Sequence, residues 1–278
     1  MATTDTDTGT GLQPIFIKRD GHVTVITLNR PDRLNAINQQ LTQELHDALE
    51  QLAGEFPETR VVIITGAGRG FCSGADVGDI AERMTGRKDS DPGPDVSAGQ
   101  GPSAIMRLAP HIRQIPQPVI AAVNGVAAGA GLGIALSCDI RLASDEARFT
   151  SVFVKRSLVP DAGVSQILGA LAGPGIAAEM ALTGRVYDAQ WALAKGLVNQ
   201  VVPSGELMSQ AESLAREIAA NPPLVVKATK QLLNSHHPDL NHVIETEHRA
   251  NDPVRGTADQ REAVQAFLEK REPKFTGR

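Results

Sequence analysis

The stretch Pro118-Val119-Ile120-Ala121-Ala122-Val123-Asn124-Gly125-Val126-Ala127-Ala128-Gly129-Ala130-Gly131-Leu132-Gly133 reads as an apolar strand that runs into a Gly/Ala-rich bend. An unbroken apolar run, rather than an alternating one, is expected of a strand buried on both faces of a parallel sheet. The pattern occurs earlier as well: Val61-Val62-Ile63-Ile64-Thr65 leads into Gly66-Ala67-Gly68-Arg69-Gly70-Phe71-Cys72-Ser73-Gly74-Ala75-Asp76. Gly and Ala let the backbone approach a ligand, and Gly permits positive φ. If each bend turns from strand into helix, the first-turn N–H groups have no partner inside the helix. Two such groups converging on one oxygen form an oxyanion hole.

Outward from these two segments, Val23-Thr24-Val25-Ile26-Thr27-Leu28 reads as a strand that ends at the turn cluster Asn29-Arg30-Pro31-Asp32. From Asn38 to Phe56, Leu41, Leu45, Ala48, Leu49 and Leu52 recur at helical spacing. Alternating strand and helix predict an α/β architecture. Residues 82–101 crowd Gly, Asp, Ser and Pro with almost no apolar residue, the composition of a lid over a site or of an inserted loop. From Gly205 onward strands give way to helices, marked by Leu207, Ala211, Leu214 and Ile218, then Leu224 to Leu233, then Asp259 to Glu269. The expected division is a disordered tail over 1–11, an α/β core over 12–204 and a helical region over 205–278. Such helices dock on a partner subunit or on their own core.

Composition narrows the function classes. Of 278 residues, 41% are hydrophobic and 21% charged, as in globular proteins, and one core or a core with an appendage fits the length. Aromatics are only 3%, so aliphatic side chains must do the packing. The net charge of −5 argues against a nucleic-acid partner. No segment has the roughly 20 apolar residues of a membrane helix, so no membrane partner is expected. Cys72 and Cys138 form no CxxC pattern. They are expected to be buried thiols in a cytoplasmic protein. Met1 to Gly11 lacks the basic and apolar regions of a signal peptide.

Other nucleotide and hydrolase motifs do not fit. Neither glycine cluster gives GxGxxG with an acidic residue about 20 positions on. No Walker lysine follows, and Ser73 is not in a GxSxG elbow. His236, His237, His242 and His248 include no HExxH, so no metal is expected and these are taken as exposed helix histidines.

Several segments together resemble the crotonase (enoyl-CoA hydratase/isomerase) superfamily. They are Asn29-Arg30-Pro31, Leu34-Asn35-Ala36, Phe71-Cys72-Ser73-Gly74-Ala75-Asp76, Pro118 to Gly125, Cys138-Asp139-Ile140, Ala181-Leu182-Thr183-Gly184, Lys195-Gly196-Leu197-Val198 and Phe267-Leu268-Glu269-Lys270-Arg271. The resemblance spans about residues 12 to 278. It implies a spiral of ββα units with a C-terminal helical oligomerisation region, assembled as a homotrimer or dimer of trimers. The implied substrate is an acyl-CoA thioester, with no separate cofactor. By position the oxyanion donors are the backbone N–H groups of Ala75 and Ala130. Coenzyme A and acyl contacts fall on Arg30, Ala36, Ser73, Ala75, Asp76, Val77, Gly129 and Phe153, with Lys274 and Phe275 contributed by the tail. Asp139 and Arg141 are expected to be structural, and Lys155 and Arg156 to be a solvated surface pair.

The chain departs from the family where hydratases carry two water-handling glutamates. Those positions are Gly133 and Phe153. Neither can ionise. One carboxylate lies in the matching neighbourhood, in Val159-Pro160-Asp161-Ala162-Gly163. An aspartate at this place is catalytic in some relatives, and the motifs resemble most the ring-opening enoyl-CoA isomerases of phenylacetate catabolism. A single base in an apolar pocket, its pKa raised, suits moving a proton between two carbons of an enoyl thioester. The alternative role for Asp161 is a helix N-cap. The expected activity is thus enoyl-CoA isomerisation. Hydration and non-catalytic acyl-CoA binding are the alternatives.

Overall fold

The computed structural model describes residues 13–76, 78, 101–234 and 239–277. Val77, the tail 1–11 and residues 82–100 of the polar segment lie outside the described residues. Six strands form the larger sheet: β1 (Ile15–Asp20), β2 (Val23–Leu28), β3 (Val61–Gly66), β5 (Val119–Val123), β7 (Ile140–Ser144) and β10 (Gln200–Val202), in the order β1-β2-β3-β5-β7-β10. All neighbours are parallel except the β1–β2 hairpin. A smaller sheet holds β4 (Gly70–Cys72), β6 (Val126–Ala128), β8 (Arg148–Thr150) and β9 (Tyr187–Asp188). The strand pairs β3/β4, β5/β6 and β7/β8 each place one strand in each sheet. This repetition is the ββα spiral that the motifs implied.

Ten α-helices lie among the described residues: α1 (Gln39–Gly54), α2 (Ala104–Gln114), α3 (Ala130–Ser137), α4 (Val164–Ala172), α5 (Pro174–Thr183), α6 (Ala189–Ala194), α7 (Leu207–Ala219), α8 (Pro223–Asn234), α9 (Leu240–Asn251) and α10 (Ala258–Leu268). The Asn38 carboxamide accepts from the Leu41 N–H and starts α1, and its apolar stripe buries Leu41, Leu45, Leu49 and Leu52.

The apolar run of β3 divides between two cores because successive side chains point to opposite faces. Val62 and Ile64 join the main core with Leu41 and Leu45, whereas Val61 and Ile63 face a second core with Leu207, Ala211 and Ala215. Helix α7 therefore covers the outer face of the large sheet. The first helix beyond Gly205 packs on the chain's own core.

A buried ion pair ties α8 to the start of β5. Lys230 Nζ lies 3.0 Å from Asp139 Oδ2 and donates to the Gln117 carbonyl at 2.8 Å. The same Asp139 oxygen accepts from the Val119 N–H at 2.7 Å. Burial lowers the Lys230 pKa, and the Asp139 charge opposes that shift. Arg141 donates to the Leu197 and Cys138 carbonyls at 2.7 and 2.6 Å. Asp139 and Arg141 are thus structural, as expected. Replacing Lys230 by Met leaves the Asp139 charge without its ammonium partner, and removing one member of a buried pair costs roughly 3 kcal/mol. Urea unfolding of Lys230→Met should show a loss of that order. An unchanged midpoint would mean that the pair carries no net stability.

Candidate active site

The two glycine-rich bends meet through their backbones. Strands β4 and β6 pair in parallel, Gly70 with Val126 and Cys72 with Ala127. Past the strands the approach tightens. A Cβ on Gly131 would lie 2.2 Å from the Cys72 carbonyl oxygen. One on Gly74, at φ +89, would lie 2.8 Å from the Ala128 carbonyl and 3.4 Å from the Ala130 nitrogen. Only glycine is accommodated at either place. Residues 74 and 75 therefore sit directly against the entry to α3.

Each bend holds an amide that has no acceptor among the described residues. Ile37 and Ala75 form an isolated parallel bridge. Its hydrogen bonds run from the Ile37 N–H to the Gly74 carbonyl at 2.8 Å and from the Asp76 N–H to the Ile37 carbonyl at 3.0 Å. In such a bridge the bonds straddle the opposite residue, so the Ala75 N–H points away from Ile37. Ala130 is the first residue of α3, with Gly129 as N-cap at φ +54 and no side-chain cap. Its N–H is one of the first-turn groups that a helix cannot satisfy itself. Among the described residues, neither amide has an acceptor. Both Ala130 and Ala128 are buried.

The side chains around the bends are braces. Asn35 is buried, and its Nδ2 donates to the Ala67 and Gly70 carbonyls at 3.0 and 2.8 Å, while its Oδ1 accepts from the Arg30 N–H at 2.8 Å. The Arg30 guanidinium donates to the Ala36 carbonyl and, at 3.0 Å, to Asp76 Oδ2. Arg30, Ala36 and Asp76 thus form a strap across the Ile37–Ala75 bridge. Ser73 donates through Oγ to the Arg33 carbonyl at 3.2 Å and through its N–H to the Leu34 carbonyl at 3.0 Å.

The Asp161 turn lies over α3. A Cβ on Gly133 would meet the Ala162 carbonyl oxygen at 2.7 Å and the Ala162 Cβ at 2.9 Å. Gly133 is about 4.5 Å along the helix axis from Ala130. The position at which hydratases carry a glutamate is thus filled by the backbone next to Asp161. Phe153, at the second position, is buried, and its ring edge lies 3.9 Å from where a Gly129 Cβ would be.

Asp161 does not cap a helix. Gly163, at φ +79, takes the N-cap place of α4, and only the Asp161 backbone carbonyl takes part, accepting from the Val164 N–H at 3.0 Å. The N-cap alternative is corrected accordingly. Ala162, at φ +52, turns the chain so that the aspartate side chain is not presented to the helix end. The residue keeps partial contact with solvent, but its carboxyl is largely desolvated. This pushes its pKa up to about 7, with the Glu247 charge adding to the rise and Arg255 opposing it. Proton affinity near neutrality is what a general base requires.

Glu247 and Asn251, on α9, carried no signal in the sequence. Glu247 accepts from the Gly163 N–H at 2.9 Å and the Ser165 N–H at 3.1 Å, and the Asn251 carboxamide oxygen accepts from the Val159 N–H at 3.1 Å. The histidine expectation also changes: His248 is buried, with its Nδ1 3.4 Å from Arg255 Nη2. His242 is exposed, and His236 and His237 lie outside the described residues. Arg156 is no solvated surface group, because it stacks over the Phe267 ring at 4.0 Å, whereas Lys155 is exposed. Cys72 and Cys138 are buried free thiols, their pKa values pushed up to about 12 by burial.

The tail is anchored to α10. The Lys274 N–H donates to Glu262 at 2.8 Å, and Asp259 accepts from the Thr276 and Gly277 N–H groups at 2.6 and 2.8 Å. Lys274 and Phe275 are exposed there.

Residues 18–278 match the model of the enoyl-CoA hydratase/isomerase family. The chain belongs to that family. The 1,2-epoxyphenylacetyl-CoA isomerase of Escherichia coli K12 is 39% identical over 260 residues, covering 92% of this chain and 95% of the relative. The short-chain-enoyl-CoA hydratase of Clostridium acetobutylicum is 37% identical, over 94% of this chain and 96% of the relative. A crystal structure of an enoyl-CoA hydratase from Mycobacterium avium subsp. paratuberculosis K-10 superposes with a TM-score of 0.82 at 33% identity, covering 96% of this chain and all of that one. The crotonase fold and an acyl-CoA hydratase/isomerase framework follow from these likenesses.

Ala130 offers a direct test of the unpartnered amide. Proline is tolerated at the first position of a helix and carries no N–H. Ala130→Pro should therefore keep its melting behaviour and lose roughly 10²–10³ in kcat. A folded variant with unchanged kcat would rule out the Ala130 amide as an oxyanion donor.

Proposed function

We propose that this family member is an enoyl-CoA isomerase with Asp161 as its single acid–base group. The observation that carries this reading is Asp161, next in the chain to Ala162, whose carbonyl and Cβ crowd Gly133 of α3, with a carboxyl pKa pushed up to about 7. Neither hydratase glutamate position bears a carboxylate: Gly133 has no room for a side chain, and Phe153 is apolar. The 39% identical relative named as an isomerase adds support.

In this mechanism the thioester oxygen accepts from the Ala75 and Ala130 N–H groups. Ionised Asp161 removes a proton from the carbon that becomes the nucleophilic end of a dienolate. The negative charge collects on the thioester oxygen, where both amides are already aimed, so no donor has to reorganise as charge develops. Protonated Asp161 then returns the proton at another carbon, and the double bond has moved. The acyl-CoA is the substrate, and no further cofactor is invoked. Gly129 and Phe153 line the acyl chain in this reading, with Ala36, Ser73 and Asp76 along its entry. Arg30, Lys274 and Phe275 remain the proposed coenzyme A contacts, with Lys274 reaching a neighbouring subunit and Phe275 lining the adenine pocket. Exposed Leu182, Leu224, Leu233 and Phe267 are apolar side chains suited to a subunit interface, in keeping with a homotrimer or dimer of trimers. Among the described residues, no helix is long and apolar enough to cross a membrane. A cytoplasmic location is part of the proposal.

The test is to follow double-bond migration in 3-enoyl and 2,5-dienoyl thioesters, with crotonyl-CoA hydration measured in parallel. Wild-type protein should isomerise, and Asp161→Asn should lose roughly 10²–10⁴ in rate. Because the base form exists only above the Asp161 pKa, kcat/KM should rise with pH and level off above about 7. Efficient hydration would favour the hydratase alternative. Tight acyl-CoA binding without turnover across the panel would favour a non-catalytic binder.

A further inference from the structure

We propose that Glu247 and Asn251, one turn apart on α9, are positioning residues that hold the Asp161 turn against α3, with Glu247 also supplying the negative charge the base faces. The inference rests on Asp161 being the base. Its geometry is independent of that reading.

The turn from Val159 to Gly163, which leads into the first residues of α4, has no strand or helix of its own to hold it, and it contains two residues at positive φ, Ala162 and Gly163. Its outward amides would otherwise have no partner in the protein. Glu247 takes two of them, from Gly163 and Ser165, and Asn251 takes one at the other end, from Val159. The two clamp residues are spaced i and i+4, so they face the same way. Asn251 Nδ2 in turn donates to the Glu247 backbone carbonyl at 3.3 Å, which ties the two clamps together. Both are buried, at 4% and 1% exposure. A buried carboxylate is costly unless its oxygens are bonded, and here both oxygens accept backbone N–H groups.

Three bonds from one helix thus bracket Asp161 at positions −2, +2 and +4. Asp161 itself takes no part in the clamp, and its carboxyl stays available. The charged groups acting on it are Glu247, which favours the protonated acid, and Arg255, which favours the carboxylate. Arg255 is shared with its neighbours, Asp252 at 4.0 Å and buried His248 at 3.4 Å. The Glu247 charge therefore adds to desolvation in holding the base near neutrality.

The experiment is the pH dependence of kcat/KM for isomerisation in wild type, Glu247→Gln, Arg255→Met and Asp161→Asn. Glu247→Gln removes the charge at nearly constant shape, so its acidic limb should move to lower pH. Arg255→Met should move the limb to higher pH. A merely structural Glu247 would lower stability and leave the limb in place, and an unmoved limb beside an inactive Asp161→Asn overturns the proposal alone. Activity that survives in Asp161→Asn overturns the base reading and the proposal with it. If Glu247→Gln does not fold, Glu247→Asp carries the test, since it keeps the charge on a side chain one methylene shorter. Its limb should stay near the wild-type position while kcat falls at least threefold. An unchanged kcat overturns the clamp.

Discussion

Everything in the site depends on main chain touching main chain where β4 and β6 leave the small sheet. The Cys72 carbonyl occupies the space that a side chain on Gly131 would need, and the Ala128 carbonyl does the same to Gly74. Backbones this close cannot slide past one another, so the entry to α3 and the Gly74–Ala75 segment are fixed as one body. Ala75 and Ala130 are held with their amides unspent because their neighbours' hydrogen bonds are already assigned: those of Ile37 and Asp76 on one side, and that of Gly129 to the Thr150 carbonyl on the other. In the proposed mechanism these two amides act as a preorganised donor pair, which stabilises developing charge without reorganising.

The rest of the architecture supports that contact. The apolar strands β3 and β5 are buried on both faces and aim the bends, with the main core behind them and α7 over the outer face. Lys230 and Asp139 pin the first residue of β5 from α8. The helical C-terminal region also supplies the clamp on the Asp161 turn. The proposed mechanism thus draws on three sources: rigid bends for the carbonyl, a turn for the base, and a distant helix whose side chains bond the turn.

Much of this was legible in the sequence. The runs Val61–Thr65 and Val119–Val123 gave the central strands because burial on both faces demands unbroken apolar residues, and the stripe from Leu41 to Leu52 gave α1. The glycine clusters identified the bends because close backbone approach excludes side chains. What was not legible depends on long-range contact. Glu247 lies 84 residues from Gly163, and nothing near it in the chain marks it as a capping group. Local propensity left an N-cap as the alternative role for Asp161, yet Gly163 in the left-handed region claims that place. His248 and Arg156 looked like surface residues because helix and charge patterns do not reveal which neighbour covers them.

The central claim is that two backbone amides grip one thioester oxygen, and the vibration of that carbonyl reports on it directly. An acyl-CoA labelled with ¹³C at the thioester carbon should be bound to the protein and its carbonyl stretch isolated by isotope-edited infrared difference spectroscopy. Two short hydrogen bonds polarise the C=O bond, so the band should shift to lower frequency than that of the same thioester in water. A band at or above the solution frequency would contradict the account, because it would mean that the Ala75 and Ala130 amides do not meet the substrate.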